Sequence, residues 1–165
     1  MGKSGETEIA RWLMGRGLNI LPIYEVSQGN YKGPTIYAAD GRTIIAPDLL
    51  AFSGQKIIWF EAKHKNAFTW FRKKQIFETG IDLHHYEEYQ RVSYLVEWPI
   101  WLLFLHRGGQ AKDSPPSPSG LYGNELIRLT KTESHRDMNH GPTGMVYWAK
   151  HSLIKLASYP LKSEI

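Results

Sequence analysis

The spacing of apolar residues in the first part of the chain predicts one helix followed by strands. Apolar positions three or four residues apart, with Ser4 as a cap and a glycine at the end, predict a helix over residues 5–16. Residues 18–27 and 34–39 have the extended, apolar-rich pattern of strands, separated by a polar loop at 28–33. The early chain is therefore predicted to be a helix and a strand meander.

The second half of the chain is predicted to add a crossover helix and a buried strand. Residues 82–97 contain neither glycine nor proline and have helical periodicity. That periodicity puts four side chains on one face, those of His85, Tyr89, Val92 and Val96. Residues 99–106 are almost all apolar, as in a strand covered on both faces. A helix between strands favours an α/β fold with a mixed sheet flanked by helices.

The remaining segments are predicted from turn residues and short apolar runs. A stretch rich in Gly, Pro and Ser predicts a flexible loop at about 107–121. Two further strands and a short terminal helix are predicted at 124–130, 144–149 and 151–158. With 165 residues in all, we expect a single domain.

Three charges stand out in the apolar runs "IIAPDLLAF" and "KIIWFEAK". A two-residue turn at Gly54 and Gln55 would join the runs as a hairpin and place Asp48 directly opposite Glu61. Lys63, two residues after Glu61, then shares their face of the sheet. A three-residue loop would instead shift the register by one and separate the two carboxylates, so the prediction depends on the turn.

Opposed carboxylates are destabilising unless a positive charge lies between them. Two carboxylate ligands suit Mg²⁺, which leaves its other positions to water and phosphate, and the chemistry predicted is metal-assisted phosphodiester hydrolysis. Lys63 would orient the attacking water or hold the phosphate. Glu6 lies on the inward stripe of the first helix, whereas Glu8 does not, so Glu6 is a further candidate. A capping or helix-dipole role for Glu6 remains open.

These residues carry a resemblance to a known family. The "PD" at 47–48 followed by "EAK" at 61–63 resembles the signature of the PD-(D/E)XK nuclease superfamily. The stretch "GETEIARWL" resembles the helix that supplies another acid in its Holliday-junction-resolvase-like, phage-type members. The resemblance covers residues 5 to about 105. It implies a restriction-endonuclease-like core, in which a mixed β-sheet is flanked by helices.

The resemblance also implies roles for individual residues. Asp48 and Glu61 would bind Mg²⁺ or Mn²⁺, the carbonyl of Ala62 would be a further ligand, Lys63 would be catalytic and Glu6 would be the helix acid. Pro47 favours another interpretation, in which Asp48 begins a surface strand and Glu61 and Lys63 form a solvated pair.

DNA contacts are predicted after the motif. The stretch "TGIDLHHYEEY" is similar to the segment that follows the motif in resolvase-like members, which makes His85 and Tyr89 candidates, although a packed core pair is the alternative. The basic and aromatic segment "KHKNAFTWFRKK" adds phosphate-contact candidates. They are Lys65, Arg72, Lys73 and Lys74. A solvated basic face is the alternative for this segment.

The amino-acid composition limits which partners, metal sites and cellular locations we expect for the protein. Lys and Arg exceed Asp and Glu by 20 to 16, which is compatible with a polyanionic partner. The absence of cysteine excludes disulfides and thiolate metal sites. No apolar run is long enough to span a membrane and the first residues lack the apolar region of a signal peptide, so we expect an intracellular, cytoplasmic protein with no membrane association.

The sequence thus predicts a metal-dependent deoxyribonuclease. Because no base-reading module is recognisable, an endonuclease acting on branched or structured DNA, in recombination or repair, fits better than a sequence-specific one. The resemblance implies a homodimer and a bacterial, archaeal or phage context. The alternative is a nuclease-derived DNA-binding or assembly protein without activity.

Overall fold

The computed structural model describes residues 2–22 and 34–162. The helices are α1 (Gly2–Met14), α2 (Leu83–Leu95) and α3 (Leu126–Leu129). The strands are β1 (Asn19–Pro22), β2 (Thr35–Tyr37), β3 (Thr43–Ile45), β4 (Leu49–Ser53), β5 (Lys56–Lys65), β6 (Thr69–Phe71), β7 (Ile76–Asp82), β8 (Ile100–His106), β9 (Gly120–Glu125), β10 (Glu133–Asp137), β11 (Met145–Ala149) and β12 (Ile154–Ala157). The predicted strand residues 23–27 and the predicted loop 28–33 lie outside the described residues.

A mixed six-stranded sheet in the order β1-β4-β5-β8-β9-β12 carries the fold. Its central strands β5 and β8 are parallel, and every other neighbouring pair is antiparallel. The parallel pair needs a crossover, and α2 supplies it, as the sequence predicted. A second sheet has the order β10-β11-β7-β6, and β2 and β3 form a separate hairpin.

Each face of the six-stranded sheet has its own core, because side chains alternate along β5 and β8. On one face, Ile9 and Leu13 of α1 pack on Phe60 and Ala62 of β5. The opposite face packs against α2, the β2–β3 hairpin and the second sheet, and its core includes Trp59, Tyr86, Tyr89, Leu102 and Trp148. Glu61 and Lys63 alternate with Phe60 and Ala62, so they point toward the α2 face.

Helix α1 approaches the sheet closely. A Cβ atom added at Gly5 would lie 2.5 Å from the side chain of His64 on β5. Glycine at this position therefore lets the first turn of α1 lie directly on the strand that carries the motif.

The structure confirms several predicted elements. The first predicted helix is present as α1, and α2 and β8 match the predicted crossover helix and buried strand. The loop predicted at 107–121 is present up to Ser119, with one isolated bridge inside it, and β9 begins at Gly120. The predicted strand at 144–149 is β11.

Three predicted elements are wrong. The run 44–52 is not one strand, because Pro47 interrupts it between β3 and β4. The segment 124–130 is the end of β9 followed by α3, in which Leu126 and Leu129 are buried three residues apart. The segment 151–158 is not a helix, because residues 154–157 form β12 along the edge of β9.

The described chain has no helix that could cross a bilayer, since α1 and α2 have 13 residues each.

The burial of His106 should make the stability of the protein depend on pH. It is fully buried at the end of β8 and stacks on Phe68, with the ring centroids 3.6 Å apart. Burial, together with the nearby charge of Lys65, lowers the pKa of His106 to about 3. The unfolded chain therefore binds a proton at this residue between pH 6.5 and 3 that the folded protein does not bind.

We expect the free energy of unfolding to fall by up to about 1.4 kcal/mol for each pH unit below 6 because of this one group. His106→Phe keeps the stacking and removes the titration, so its stability should depend less steeply on pH than that of the wild type. Urea unfolding of both proteins at pH 7, 6, 5 and 4 measures the difference. Parallel pH curves for the two proteins would contradict the expectation.

Candidate active site

The turn at Gly54 and Gln55 sets the register that the sequence predicted. Ser53 pairs with Lys56 across this two-residue turn, and Gly54 has a φ of +58°, which favours glycine. Continued past Leu49, the register brings Asp48 beside Glu61. Here the main-chain N–H of Asp48 donates to Glu61 Oε2 at 3.2 Å. The two carboxylates therefore lie on the same face of the sheet.

Pro47 lies where the chain leaves one sheet and enters another. Residues 46–48 belong to neither β3 nor β4. Because proline cannot donate a main-chain hydrogen bond, it ends the ladder at this point. Asp48 is thus placed just outside the start of β4, next to the middle of β5.

Glu61 and Lys63 form a buried ion pair. The Glu61 side chain is 0% exposed, and its Oε1 is in ionic contact with Lys63 Nζ. Burial alone would lower the pKa of Lys63, but the charges of Glu61 and Asp48 and the hydrogen bond to Glu61 outweigh it and raise that pKa. Lys63 is therefore a fixed positive charge beside the carboxylates. The interpretation as a solvated surface pair does not hold.

The charged form of the Asp48 side chain is electrostatically unfavourable. Burial, followed by the negative charge of Glu61, raises its pKa to about 7. The positive charge of Lys63 and a hydrogen bond from the backbone of Ala62 oppose this rise. Within the described residues, Asp48 Oδ2 is buried without a hydrogen-bond partner. An unpaired buried carboxylate oxygen beside a second carboxylate is a place where a cation would be stabilising.

Tyr89 and His85 reach this group from α2. Tyr89 is 2% exposed. Burial raises its pKa well above the ordinary value, and the charge of Glu61 and a hydrogen bond with Glu61 add to that effect. His85 lies one helical turn earlier, 4.0 Å from Asp82, and burial followed by the charge of Lys63 lowers its pKa. Both side chains line the same cavity, and Tyr89 also belongs to the core.

Glu6 of α1 lines the same cavity as Asp48 and Glu61. Its negative charge helps raise the pKa of both Asp48 and Lys63, although it is one of the smaller causes in each case. The structure therefore brings the predicted helix acid to the edge of the carboxylate group.

The cavity has a volume of about 690 Å³ and lies between the sheet, α2 and the β2–β3 hairpin. It contains polar side chains that the sequence did not single out, namely Thr35, Thr43, His84, Glu88 and Arg91. Of these, Glu88 is 3% exposed and therefore stands out as a buried acid. Its position three residues after His85, on the inward face of α2, was the available sequence signal.

None of the four predicted basic DNA-contact residues lines the cavity. Lys65 is on β5 two residues after Lys63, and burial followed by the charge of Lys63 lowers its pKa. Arg72, Lys73 and Lys74 lie in the exposed turn between β6 and β7 and do not line the cavity. Lys74 Nζ donates to the carbonyl of Ser134 at 3.3 Å.

The donor set fits a divalent ion held by few protein ligands. In residues 2–22 and 34–162, no group of three or more His, Asp or Glu side chains is arranged to hold a metal ion. Asp48 and Glu61 nevertheless offer carboxylate oxygens next to each other, and one of those oxygens is buried and unpaired. Mg²⁺ is commonly held by one or two carboxylates, with water and substrate phosphate as its other ligands.

Comparison with known proteins finds a similar fold among solved structures. No family model and no curated protein matches the chain. Among solved structures, the fold is similar to that of Hjc, a Holliday junction resolvase from the archaeal hyperthermophile Archaeoglobus fulgidus, with a TM-score of 0.53 and 10% sequence identity. The match covers 92% of this chain and 90% of the resolvase. The chain therefore has the mixed α/β fold of a resolvase-type nuclease, with a sheet flanked by helices.

Proposed function

We propose that the protein is a divalent-metal-dependent nuclease that hydrolyses phosphodiester bonds in DNA. One observation carries the proposal, namely that Asp48, Glu61 and Lys63 converge on one face of the β4–β5 hairpin inside a cavity. Two adjacent carboxylates and a fixed positive charge suit metal-assisted hydrolysis of a phosphodiester bond. The resolvase-like fold supports the same chemistry.

In this proposal Asp48 and Glu61 hold Mg²⁺ or Mn²⁺, with the carbonyl of Ala62 and, at the edge of the group, Glu6 as further ligands. When bound, the ion lowers the pKa of a coordinated water and neutralises charge on the phosphate. Tyr89 keeps the Glu61 carboxylate in place through its hydrogen bond. The pKa of Asp48, which burial and the charge of Glu61 raise, would fall if a cation were held between the two carboxylates.

Lys63 acts as a positioned cation. Because nearby carboxylates raise its pKa, it stays protonated at neutral pH and cannot serve as a general base without first losing a stabilised proton. We assign it to hold a non-bridging phosphate oxygen and to orient the attacking water. His85 lines the same cavity and would contact the DNA strand bound there.

The proposed substrate is branched or otherwise structured DNA, cut as an endonuclease. The likeness to a Holliday junction resolvase favours such a substrate. The formal net charge of +4 favours a polyanion, and Lys65 and the exposed turn with Arg72, Lys73 and Lys74 would contact phosphates outside the cavity. A junction with two-fold symmetry presents two equivalent strands, so we propose that the protein acts as a homodimer.

Cleavage assays with matched substrates test this function. A four-way junction, a flap, a linear duplex, single-stranded DNA and an RNA duplex are offered with Mg²⁺, with Mn²⁺ and with EDTA. We expect metal-dependent cuts in the junction or flap at a rate at least about tenfold above that in the linear duplex. Cleavage of RNA alone would contradict the DNA assignment. Junction binding without any cleavage would favour the inactive DNA-binding alternative.

A further inference from the structure

The chain changes sheets just before Asp48. Strand β3 belongs to the two-stranded hairpin and β4 to the six-stranded sheet, while residues 46–48 belong to no strand. A segment outside a ladder lacks the regular main-chain hydrogen bonds that hold a strand. The contacts that hold this segment therefore determine where the Asp48 carboxylate lies.

Two buried carboxylates hold the ends of this segment. At one end, the main-chain N–H of Ile45 donates to Glu88 Oε2 at 2.9 Å. At the other end, the N–H of Asp48 donates to Glu61 Oε2 at 3.2 Å. Between them, the N–H of Ala46 donates to the carbonyl of Pro34 at 2.7 Å, whereas Pro47 has no N–H to donate. Helix α2 thus contributes one side chain, that of Glu88, to holding the approach to Asp48.

Each carboxylate oxygen of Glu88 has a partner within the protein. Its Oε2 accepts the hydrogen bond from Ile45, and its Oε1 pairs with Arg91, a residue one turn later whose side chain is 56% exposed. A buried carboxylate is stable only when it is paired and hydrogen-bonded, and these two contacts meet that need. Glu88 also lines the same cavity as Asp48.

We propose that Glu88 is a positioning residue, which fixes the main chain at Ile45 and thereby keeps the Asp48 carboxylate facing Glu61. This inference rests on the proposed metal-dependent function of the Asp48 and Glu61 pair. Residues that orient a ligand without touching the ion commonly change metal affinity by 10- to 100-fold when they are replaced.

The test compares Mn²⁺ affinity in Glu88→Ala and Glu88→Gln with that of the wild type, by isothermal titration calorimetry on the full chain. The alanine variant removes the acceptor for Ile45, so its dissociation constant for Mn²⁺ should rise by about 10-fold or more. The glutamine variant keeps an acceptor oxygen, so its dissociation constant should stay within about threefold of wild type. Equal losses in both variants would mean that the charge of Glu88 matters directly, and would overturn the positioning role.

Glu133→Ala is the matched control. Glu133 also pairs with an arginine three residues later, Arg136, and accepts a hydrogen bond from Tyr86 at 2.5 Å, but it belongs to β10 and does not line the cavity. The Glu133→Ala substitution should lower the melting temperature without changing the Mn²⁺ dissociation constant. A Glu88→Ala protein that behaves like this control, with lower stability and unchanged metal affinity, would overturn the proposal.

Amide hydrogen exchange without metal tests the positioning role of Glu88 separately from the proposed metal-dependent function. In Glu88→Ala, the amides of Ile45 and Asp48 should exchange at least about tenfold faster than in the wild type, whereas in Glu133→Ala they should not. Unchanged exchange at Asp48 would overturn the role of Glu88. If the wild type bound no Mn²⁺ at all, the proposed function would fail, and the exchange rates alone would decide whether Glu88 holds the segment.

Discussion

Replacing Lys63 with alanine should reduce metal-dependent DNA cleavage by about a hundredfold or more. Lys63 is the positive side chain in ionic contact with Glu61, and the surrounding carboxylates hold it protonated. Removing one fixed charge or donor that stabilises a transition state commonly costs about two to three orders of magnitude in rate. Single-turnover cleavage of a labelled junction, at saturating Mg²⁺, measures the effect on the chemical step.

Two further variants make this result interpretable. Lys63→Ala leaves the buried Glu61 without its cation, so the fold must be checked by circular dichroism at the assay temperature. Lys63→Gln keeps a hydrogen-bond donor and removes the charge, and it should be as inactive as the alanine variant. Lys56→Ala, at the exposed start of the same strand, is the control and should cleave at the wild-type rate. Full activity in Lys63→Ala would exclude the proposed mechanism.

Asp48→Asn should have opposite effects on stability without and with metal. In the wild type, burial and the charge of Glu61 raise the pKa of Asp48 to about 7. Between about pH 4 and 7 the native protein then binds more protons than the unfolded chain, so stability falls as pH rises through this range. At pH 8 without metal, the asparagine variant should be more stable than the wild type by about 1–3 kcal/mol.

Added metal should reverse this order. An ion that binds only the folded state stabilises it by about 2.7 kcal/mol at a concentration 100 times its dissociation constant. The wild type should gain this stability with Mg²⁺ or Mn²⁺, whereas Asp48→Asn should gain little because one of its two carboxylate ligands is lost. Urea unfolding at pH 8 with and without metal measures both effects. Asp40→Asn, an exposed acid paired with Arg42, should respond to metal as the wild type does. If added metal raised the free energy of unfolding equally in Asp48→Asn and the wild type, the ion would have to bind elsewhere.

The placement of Asp48 beside Glu61 could be predicted from sequence because it depends on local geometry. A two-residue turn fixes the register of a hairpin, and the register fixes which side chains share a face. Gly54 was therefore enough to predict that Asp48 meets Glu61. Helix α2 and strand β8 were also predictable, because each has a continuous periodic or apolar pattern that no turn residue interrupts.

Of the second sheet, only β11 was predicted, and the sequences of β7 and β10 are too polar to indicate strands. Strand β10 has the sequence ESHRD, and β7 buries Glu78 and Gly80, residue types that are depleted in strands. These segments are strands because β11 lies between them and pairs with both. Such pairing depends on contacts between residues far apart in the chain, which a local pattern does not contain.

Two short segments were assigned the wrong structure because their spacing was ambiguous. In 151–158, apolar residues three and four apart resemble a helix, but an open edge of β9 was available and the segment pairs with it as β12. In 124–130 the pattern suggested a strand, but Leu126 and Leu129 are both buried from a single helical turn. Tertiary contacts decide the structure of segments this short.

Because Asp48 lies outside any strand ladder, it should be released by local unfolding at a lower temperature than Glu61. Glu61 sits inside β5 and pairs with Leu102 of β8, so it moves only when the centre of the main sheet comes apart. Asp48 lies outside the strand ladder and is held by individual hydrogen bonds to β5, and such a segment opens at a lower free energy than a central strand. On warming, the two carboxylates should therefore separate while the sheet is still intact, and the proposed DNA cleavage should stop at a temperature below that of unfolding.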